Sequence, residues 1–246
     1  MDEARRSITV ESPEDGTVFI AGYQWKGRGR FPERRWVSEA GKDLLFTVIF
    51  RKNSLAFPFT RLPVISGYVV AKTLENYYDL EILLKWPNDI LAFFPSVEWR
   101  IPGKLGGILC EAYREYLLVG VGINCNGDTS AFNKGANNES DNETRRKIGA
   151  ISLKELTGKT IEIEVLLYRV LKAFKDTILP LGEAKGWKEE ITKRLYLRET
   201  VTKVRLGGSS GEIVEGIIRG IGDDGELLFD VSGRGIVRVY SGEIIF

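Results

Sequence analysis

Short apolar runs bounded by Gly, Pro and charge dominate the first half of the chain. Residues 17–21 (TVFIA) form a short apolar strand, and residues 44–50 (LLFTVIF) a buried one by length and by β-branched and aromatic content. Between them lies KGRGRFPERRW (26–36), too charged and too punctuated by Gly and Pro to be a core element. Over 61–78, Leu62, Ile65, Val69 and Leu74 fall roughly on one face and Pro63 sits in the first turn, so the pattern predicts a helix. Residues 80–85 predict a strand stopped by Pro87. Segments 90–94 and 97–101 predict a hairpin, and 105–112 and 116–123 two more adjacent strands.

The second half changes texture twice. Residues 124–147 carry six Asn and little apolar material besides Phe132, which predicts a long loop. Ser152 then N-caps a short helix (SLKEL) ended by Gly158, and amphipathic helices follow at 161–179 and 187–195. From about Arg198, short strands alternate with Gly-rich turns, of which Asp223-Asp224-Gly225 is the clearest hairpin turn. The expected fold is α+β: a mixed or antiparallel sheet flanked by helices over 1–197, then a small β-barrel over 198–246. There are no internal repeats.

Composition narrows the chemistry. The 246 residues are 43% hydrophobic, enough for a sizeable core, and 35 Lys+Arg against 34 Asp+Glu leave a net charge of +1. That balance argues against a generic nucleic-acid binder and against an acidic disordered tail. The absence of histidine excludes His-based acid–base catalysis, Ser-His-Asp and Cys-His arrangements and imidazole zinc sites. Cys110 and Cys125 form no CxxC and suffice for no four-cysteine cluster; they read as small buried hydrophobes. The polar N-terminal stretch has no signal-peptide core, and no 18-residue apolar run occurs. The expectation is a cytoplasmic chain with reduced cysteines and no membrane partner.

Three segments carry candidate chemistry. Gly27-Arg28-Gly29-Arg30, followed by Arg34, Arg35 and Trp36, has the makings of an anion cradle: glycines admit the backbone and guanidinium groups grip phosphate or carboxylate. Trp36 is placed to stack a nucleobase. The plain alternative is a solvated basic loop. Lys85-Trp86-Pro87-Asn88-Asp89 ends a strand in a turn whose amide and carboxylate suit ribose hydroxyls or Mg²⁺, or is simply a β-turn. Lys104-Leu105-Gly106-Gly107-Ile108 and Gly120-Val121-Gly122-Ile123-Asn124 place glycines inside neighbouring strands, where either a ligand or a bulge accounts for them. Together the inventory fits nucleotide-dependent activation of a carboxylate, chemistry run by Lys, Arg and Mg²⁺ without His or Cys.

GRGR with RRW, then KWPNDI, KLGGILCE and GVGINCN, in that order and spacing, resemble the biotin protein ligases (biotin–[acetyl-CoA-carboxylase] ligases). The resemblance covers nearly the whole chain, and the C-terminal β module resembles the family's SH3-like domain. It implies a class II synthetase-like catalytic domain, MgATP and biotin as substrates, biotinyl-5′-AMP as intermediate, and transfer to a lysine of a biotin carboxyl carrier domain. By the same resemblance Lys104 and Arg30 are catalytic. Gln24, Gly27, Arg28, Gly29, Arg30, Lys104, Gly107, Ile108, Gly120 and Ile123 fall on the biotin side. Arg34, Trp36, Asn88, Asp89 and Asn124 fall on the nucleotide side, with Asp89 near Mg²⁺.

The chain departs from the family pattern twice. Its lid is one residue longer, so that counting back from Trp36 the lid arginine is Arg34, with Arg35 the alternative. The family's Ser-Thr-Asn segment precedes a helix that Met1-Asp2-Glu3-Ala4-Arg5 resembles. The repressor members' helix-turn-helix domain has no counterpart before Thr17, so no operator DNA is expected; side-by-side pairing in the family raises a homodimer. Lipoate or octanoate ligases share the fold, against which stand KWPNDI and KLGGIL. A non-catalytic interaction protein is the third reading.

Overall fold

The computed structural model describes residues 1–31, 33–94, 102–130, 133, 148–178, 186–208 and 210–245. The first sheet has the order β1-β2-β6-β5-β4-β3 and every named strand pair in it is antiparallel. Its strands are β1 (Val18–Ile20), β2 (Leu44–Arg51), β3 (Ile82–Lys85), β4 (Asp89–Phe93), β5 (Pro102–Tyr113) and β6 (Tyr116–Ile123). The mixed alternative therefore gives way to an antiparallel sheet. The parallel pairings are isolated bridges: Leu84 with Leu195, Lys104 with Ala150, and Arg198 with Ile218. β4 is hydrogen-bonded to β3 on one side and β5 on the other; segment 97–101, expected to form a hairpin with 90–94, lies outside the described residues.

The helices are α1 (Asp2–Val10), α2 (Leu62–Tyr78), α3 (Leu153–Thr157), α4 (Ile163–Ile178) and α5 (Trp187–Lys193). α2 is buried along most of its length because it lies between the sheet and α4. Ser152 starts α3 with a full capping box: Oγ accepts from Glu155 N, and the Glu155 carboxylate accepts from Ser152 N at 2.7 Å.

Side chains alternate across β6, and this decides where the site lies. Val119, Val121 and Ile123 join the main core beneath α2, whereas Tyr116 and Leu118 pack against Ala4 and Ile8 of α1. By the same alternation Gly120 and Gly122 lie on the α1 face. One face is thus filled by α2, α4 and α5, and the other by α1 at one end and by glycine at the other.

The second sheet, of order β10-β9-β8-β7-β11, is the expected small C-terminal module. Its strands are β7 (Val201–Leu206), β8 (Ile213–Ile221), β9 (Leu227–Val231), β10 (Gly235–Val239) and β11 (Gly242–Ile245). Asp223-Asp224-Gly225 is the β8–β9 turn. α5 ties the sheets together: Leu84 N donates to Arg194 O at 2.7 Å, Tyr196 N to Leu84 O at 2.9 Å, and Ile221 N to Thr192 Oγ1 at 3.3 Å. One hydrophobic cluster runs from Leu44 and Ile65 through Ile191 to Ile218 and Phe229. Among the described residues no helix is long and apolar enough to cross a membrane.

Candidate functional site

The Gly/Arg segment folds back on itself as a small antiparallel loop. Trp36 N donates to Gly27 O at 3.1 Å, Gly29 N donates to Arg34 O at 2.9 Å, and Arg28 bridges Arg35. This is why the glycines alternate with arginines: each glycine lies against the returning strand, with Arg34 Cβ 2.8 Å from where a Gly29 Cβ would stand. The loop covers the glycine end of the sheet. Trp36 lies flat on the floor, 3.5 Å from where a Gly107 Cβ would stand and 2.8 Å from that of Gly122. A methyl at Gly122 would collide with the indole, so the floor strands need glycine there.

Under this loop is a cavity of about 190 Å³. Five cations line it (Arg30, Arg34, Arg35, Lys85 and Lys104) against two carboxylates, Asp89 and Glu243. Lys104 Nζ donates to Asp89 Oδ1 at 2.6 Å and stands 5.8 Å from the centre of a Trp36 ring. Arg30 stacks on Phe31 at 4.5 Å and donates to the carbonyl of Gly242, while Arg34 is ion-paired with Glu243. Burial holds the pKa of Lys85 and of Arg30 below their ordinary values, against the opposing pull of Asp89 and Glu243. An enclosed excess of positive charge is the arrangement a polyanion relieves. Trp36 Nε1 is buried with no hydrogen-bond partner among the described residues.

The cavity gathers Gly29, Arg30, Arg34, Trp36, Asn88, Asp89 and Lys104 from the sequence candidates. Other candidates lie elsewhere. Arg28 turns away to Asp2 of α1 at 2.8 Å, with Glu111 3.8 Å off. Gln24 Oε1 is 3.0 Å from where a Gly27 Cβ would stand, outside the cavity lining. Gly107 lies under Trp36, and the Met1 side chain covers Gly120. Ile108 and Ile123 point into the core beneath α2, so that their backbone alone can face a ligand. The Asn124 amide donates to Lys104 O at 3.1 Å and Ile151 O at 3.2 Å, fixing the start of β5. Asn88 Nδ2 donates to Ile108 O at 3.2 Å and holds the turn against β5.

Phe31, Lys85, Trp86, Pro87 and Glu243 line the cavity without having been among the candidate site residues. Glu243 comes from the C-terminal module, and no spacing rule links it to a loop two hundred residues away. Phe31 carries the arginine stack. Lys85 sits in the KWPND segment and had a signal: it ends an otherwise apolar strand.

The metal question turns on the same donors. Among the described residues no group of three or more His, Cys, Asp or Glu comes together. Asp89 offers a single carboxylate beside cations. That donor set does not make a resident metal site, but it fits a Mg²⁺ that arrives on phosphates and keeps most of its waters.

A family model described as the biotin/lipoate A/B protein ligase family matches residues 2–128. The chain is 28% identical over 239 residues to the biotin–[acetyl-CoA-carboxylase] ligase of Mycobacterium tuberculosis, covering 94% of this chain and 79% of that one. It is 26% identical over 236 residues to the bifunctional ligase/repressor BirA of Bacillus subtilis, covering 94% and 66%. The solved biotin protein ligase from Aquifex aeolicus in complex with biotin and ATP superposes with a TM-score of 0.73 at 28% identity, covering 98% of this chain and 92% of that one.

Proposed function

The chain belongs to the biotin/lipoate A/B protein ligase family, and on that premise we propose that its cavity activates biotin with ATP as biotinyl-5′-AMP and passes the biotinyl group to a lysine of a biotin carboxyl carrier domain. The observation that carries this reading is the Lys104–Asp89 pair at 2.6 Å, set between the glycine floor and the arginine loop. In the first step a biotin carboxylate oxygen bonds to the α-phosphorus, and pyrophosphate leaves with the electron pair of the Pα–O–Pβ bond. Two anions must meet for this, and charge neutralisation is the main demand on the protein. Lys104 stands where carboxylate and α-phosphate meet, and Arg30 closes over them. Asp89 would hold a Mg²⁺ brought in on the phosphates, and that ion would supply further charge neutralisation.

Biotin takes the glycine side, along Gly107 and Gly120 with Gln24, Gly27, Arg28 and Gly29 at its rim and the Ile108 and Ile123 backbone beneath. Adenine takes Trp36, which lifts from the floor to admit it, with Asn88 and Asn124 alongside and Arg34 as the lid arginine. In the second step the carrier amine attacks the anhydride carbonyl and AMP departs. Trapping the mixed anhydride under Arg30 and Trp36 keeps it from water between steps. The catalytic unit is 1–197 and the C-terminal unit 198–246, whose Gly242 and Glu243 hold the lid arginines. We place this activity in the cytoplasm.

The test is ATP–pyrophosphate exchange. The reading predicts exchange driven by biotin and not by octanoate or lipoate. Exchange driven by octanoate alone would move the chain to the lipoate branch of the family.

A further inference from the structure

A cluster of charged side chains lies on the glycine face of the sheet, outside the cavity lining. Along β5, Gly107, Leu109 and Glu111 alternate onto the α1 face, paired with Gly122, Gly120 and Leu118 of β6. At about 3.4 Å per residue Glu111 stands about 14 Å from Gly107, too far to touch a group seated at Lys104. Arg5 of α1 and Arg28 of the Gly/Arg loop each turn Nη2 to the same oxygen, Glu111 Oε2, at 2.8 and 3.8 Å. Arg28 also pairs with Asp2 at 2.8 Å. The Glu111 side chain is 20% exposed against 67% for Asp2, so Glu111 is the inner of the two carboxylates. The Arg5 guanidinium stands 5.4 Å from the centre of the Tyr113 ring, and its Nε is buried with no partner among the described residues.

Glu111 is the point at which β5, α1 and the Gly/Arg loop meet. Between it and the cavity lies Gly120, covered by the Met1 side chain. An exposed ion pair such as Arg28–Asp2 contributes little. A carboxylate largely out of water and shared by two guanidinium groups contributes more, because its loss unpairs both arms at once. We propose that Glu111 is a positioning residue for biotin. Through Arg28 and Arg5 it ties the loop to α1 across the Gly120 end of the floor. It thereby sets how firmly the biotin end of the site is closed, without touching the substrate. This rests on the ligase reading above. The nucleotide side is held separately, by the Lys104–Asp89 pair and by Arg34 on Glu243, so the effect falls on biotin and not on ATP.

The experiment is E111Q, with E111D and D2N beside it, in biotin-dependent ATP–pyrophosphate exchange with each substrate varied in turn. In E111Q the expected result is a KM for biotin raised about tenfold or more, with the KM for ATP and the kcat at saturating biotin within about twofold of wild type. E111D, which keeps the charge, recovers part of the biotin KM. D2N, which removes only the exposed pair, stays within about twofold of wild type. An unchanged biotin KM in E111Q would overturn the proposal. So would a parallel rise of both KM values, or a fall in kcat alone, either of which would make Glu111 a packing residue. A biotin KM raised as far in D2N as in E111Q would overturn it too, placing the hold on the exposed pair. Folding is checked by circular dichroism, and if E111Q fails it, R5M, which removes one of the two arms, is read by the same split between the KM values. The wild-type chain is measured first, and its failure to exchange with biotin would sink the ligase reading itself.

Discussion

Lys104 and Asp89 meet because β4 and β5 slip by one residue between them. Ile90 is paired with Gly106, but Leu91 is paired with Lys104, so Leu105 is an extra residue. Without that bulge Lys104 would face the core on the α2 side. With it, the ammonium reaches the Asp89 carboxylate at 2.6 Å on the cavity side. Bulges re-aim side chains next to active sites, and the Lys-Leu-Gly-Gly order is the local sequence that builds this one.

Lys104→Ala removes the cation at the point where two anions meet. Adenylate formation falls about 100-fold or more, read by pyrophosphate exchange. The melting transition stays cooperative, because Lys104 is only partly buried and packs at the cavity edge. Near-normal exchange in this variant would refute the assigned role.

Arg30→Gly cuts the tie from the lid to Gly242 and the stack on Phe31. The variant releases biotinyl-5′-AMP, and bystander lysines on an added protein become biotinylated. Mass spectrometry of serum albumin included in the assay reads this directly. Labelling confined to the carrier domain would show that the lid retains the anhydride by other means.

Gly225 seats the C-terminal module on the catalytic sheet. Its φ is +81°, its carbonyl accepts from Trp86 Nε1 at 3.0 Å, and Arg61 Cα lies 2.9 Å from where a Cβ would stand. Gly225→Ala meets both a disfavoured backbone and a backbone clash. It costs about 1–3 kcal/mol in urea unfolding and raises the KM for ATP, because Trp86 belongs to the turn that carries Asp89. A variant as stable as wild type would contradict this docking.

The cysteines give a pH signature. Burial pushes the Cys125 thiol up to about 12 and the Cys110 thiol up as well. Denatured thiols ionise near pH 8.5 or so. Above that the unfolded chain binds fewer protons than the folded one, so stability falls as pH rises, whereas below it the contribution is fully present. Each thiol adds a slope of up to about 1.4 kcal/mol per pH unit. C125A flattens the decline by about that amount in the alkaline range, measured by urea unfolding at several pH values. An unchanged slope would place Cys125 in contact with water.

Much of this was legible in the sequence because local patterns carried it. The strand at Leu44–Arg51, the helix at Leu62–Tyr78 and the Ser152 cap follow from periodicity and capping chemistry. The glycine pairs in β5 and β6 announced a close approach, and Trp36 supplies it. What escaped was set by contacts far apart in the chain. Glu243 reaches Arg34 only because α5 seats the second sheet beside the first. Arg28 turns to Asp2 because α1 packs on the sheet face below it, a partner no motif spacing reveals. Ile108 lies in a glycine-rich motif, yet strand alternation sends its side chain into the core.

The central claim is transfer of biotin, and the most direct test is mass spectrometry of a purified biotin carboxyl carrier domain incubated with this chain, biotin and MgATP. The account predicts the mass increase of a single biotinyl group on one lysine, dependent on ATP and undiminished by excess octanoate. An unmodified carrier, or one acylated by octanoate instead, would contradict it.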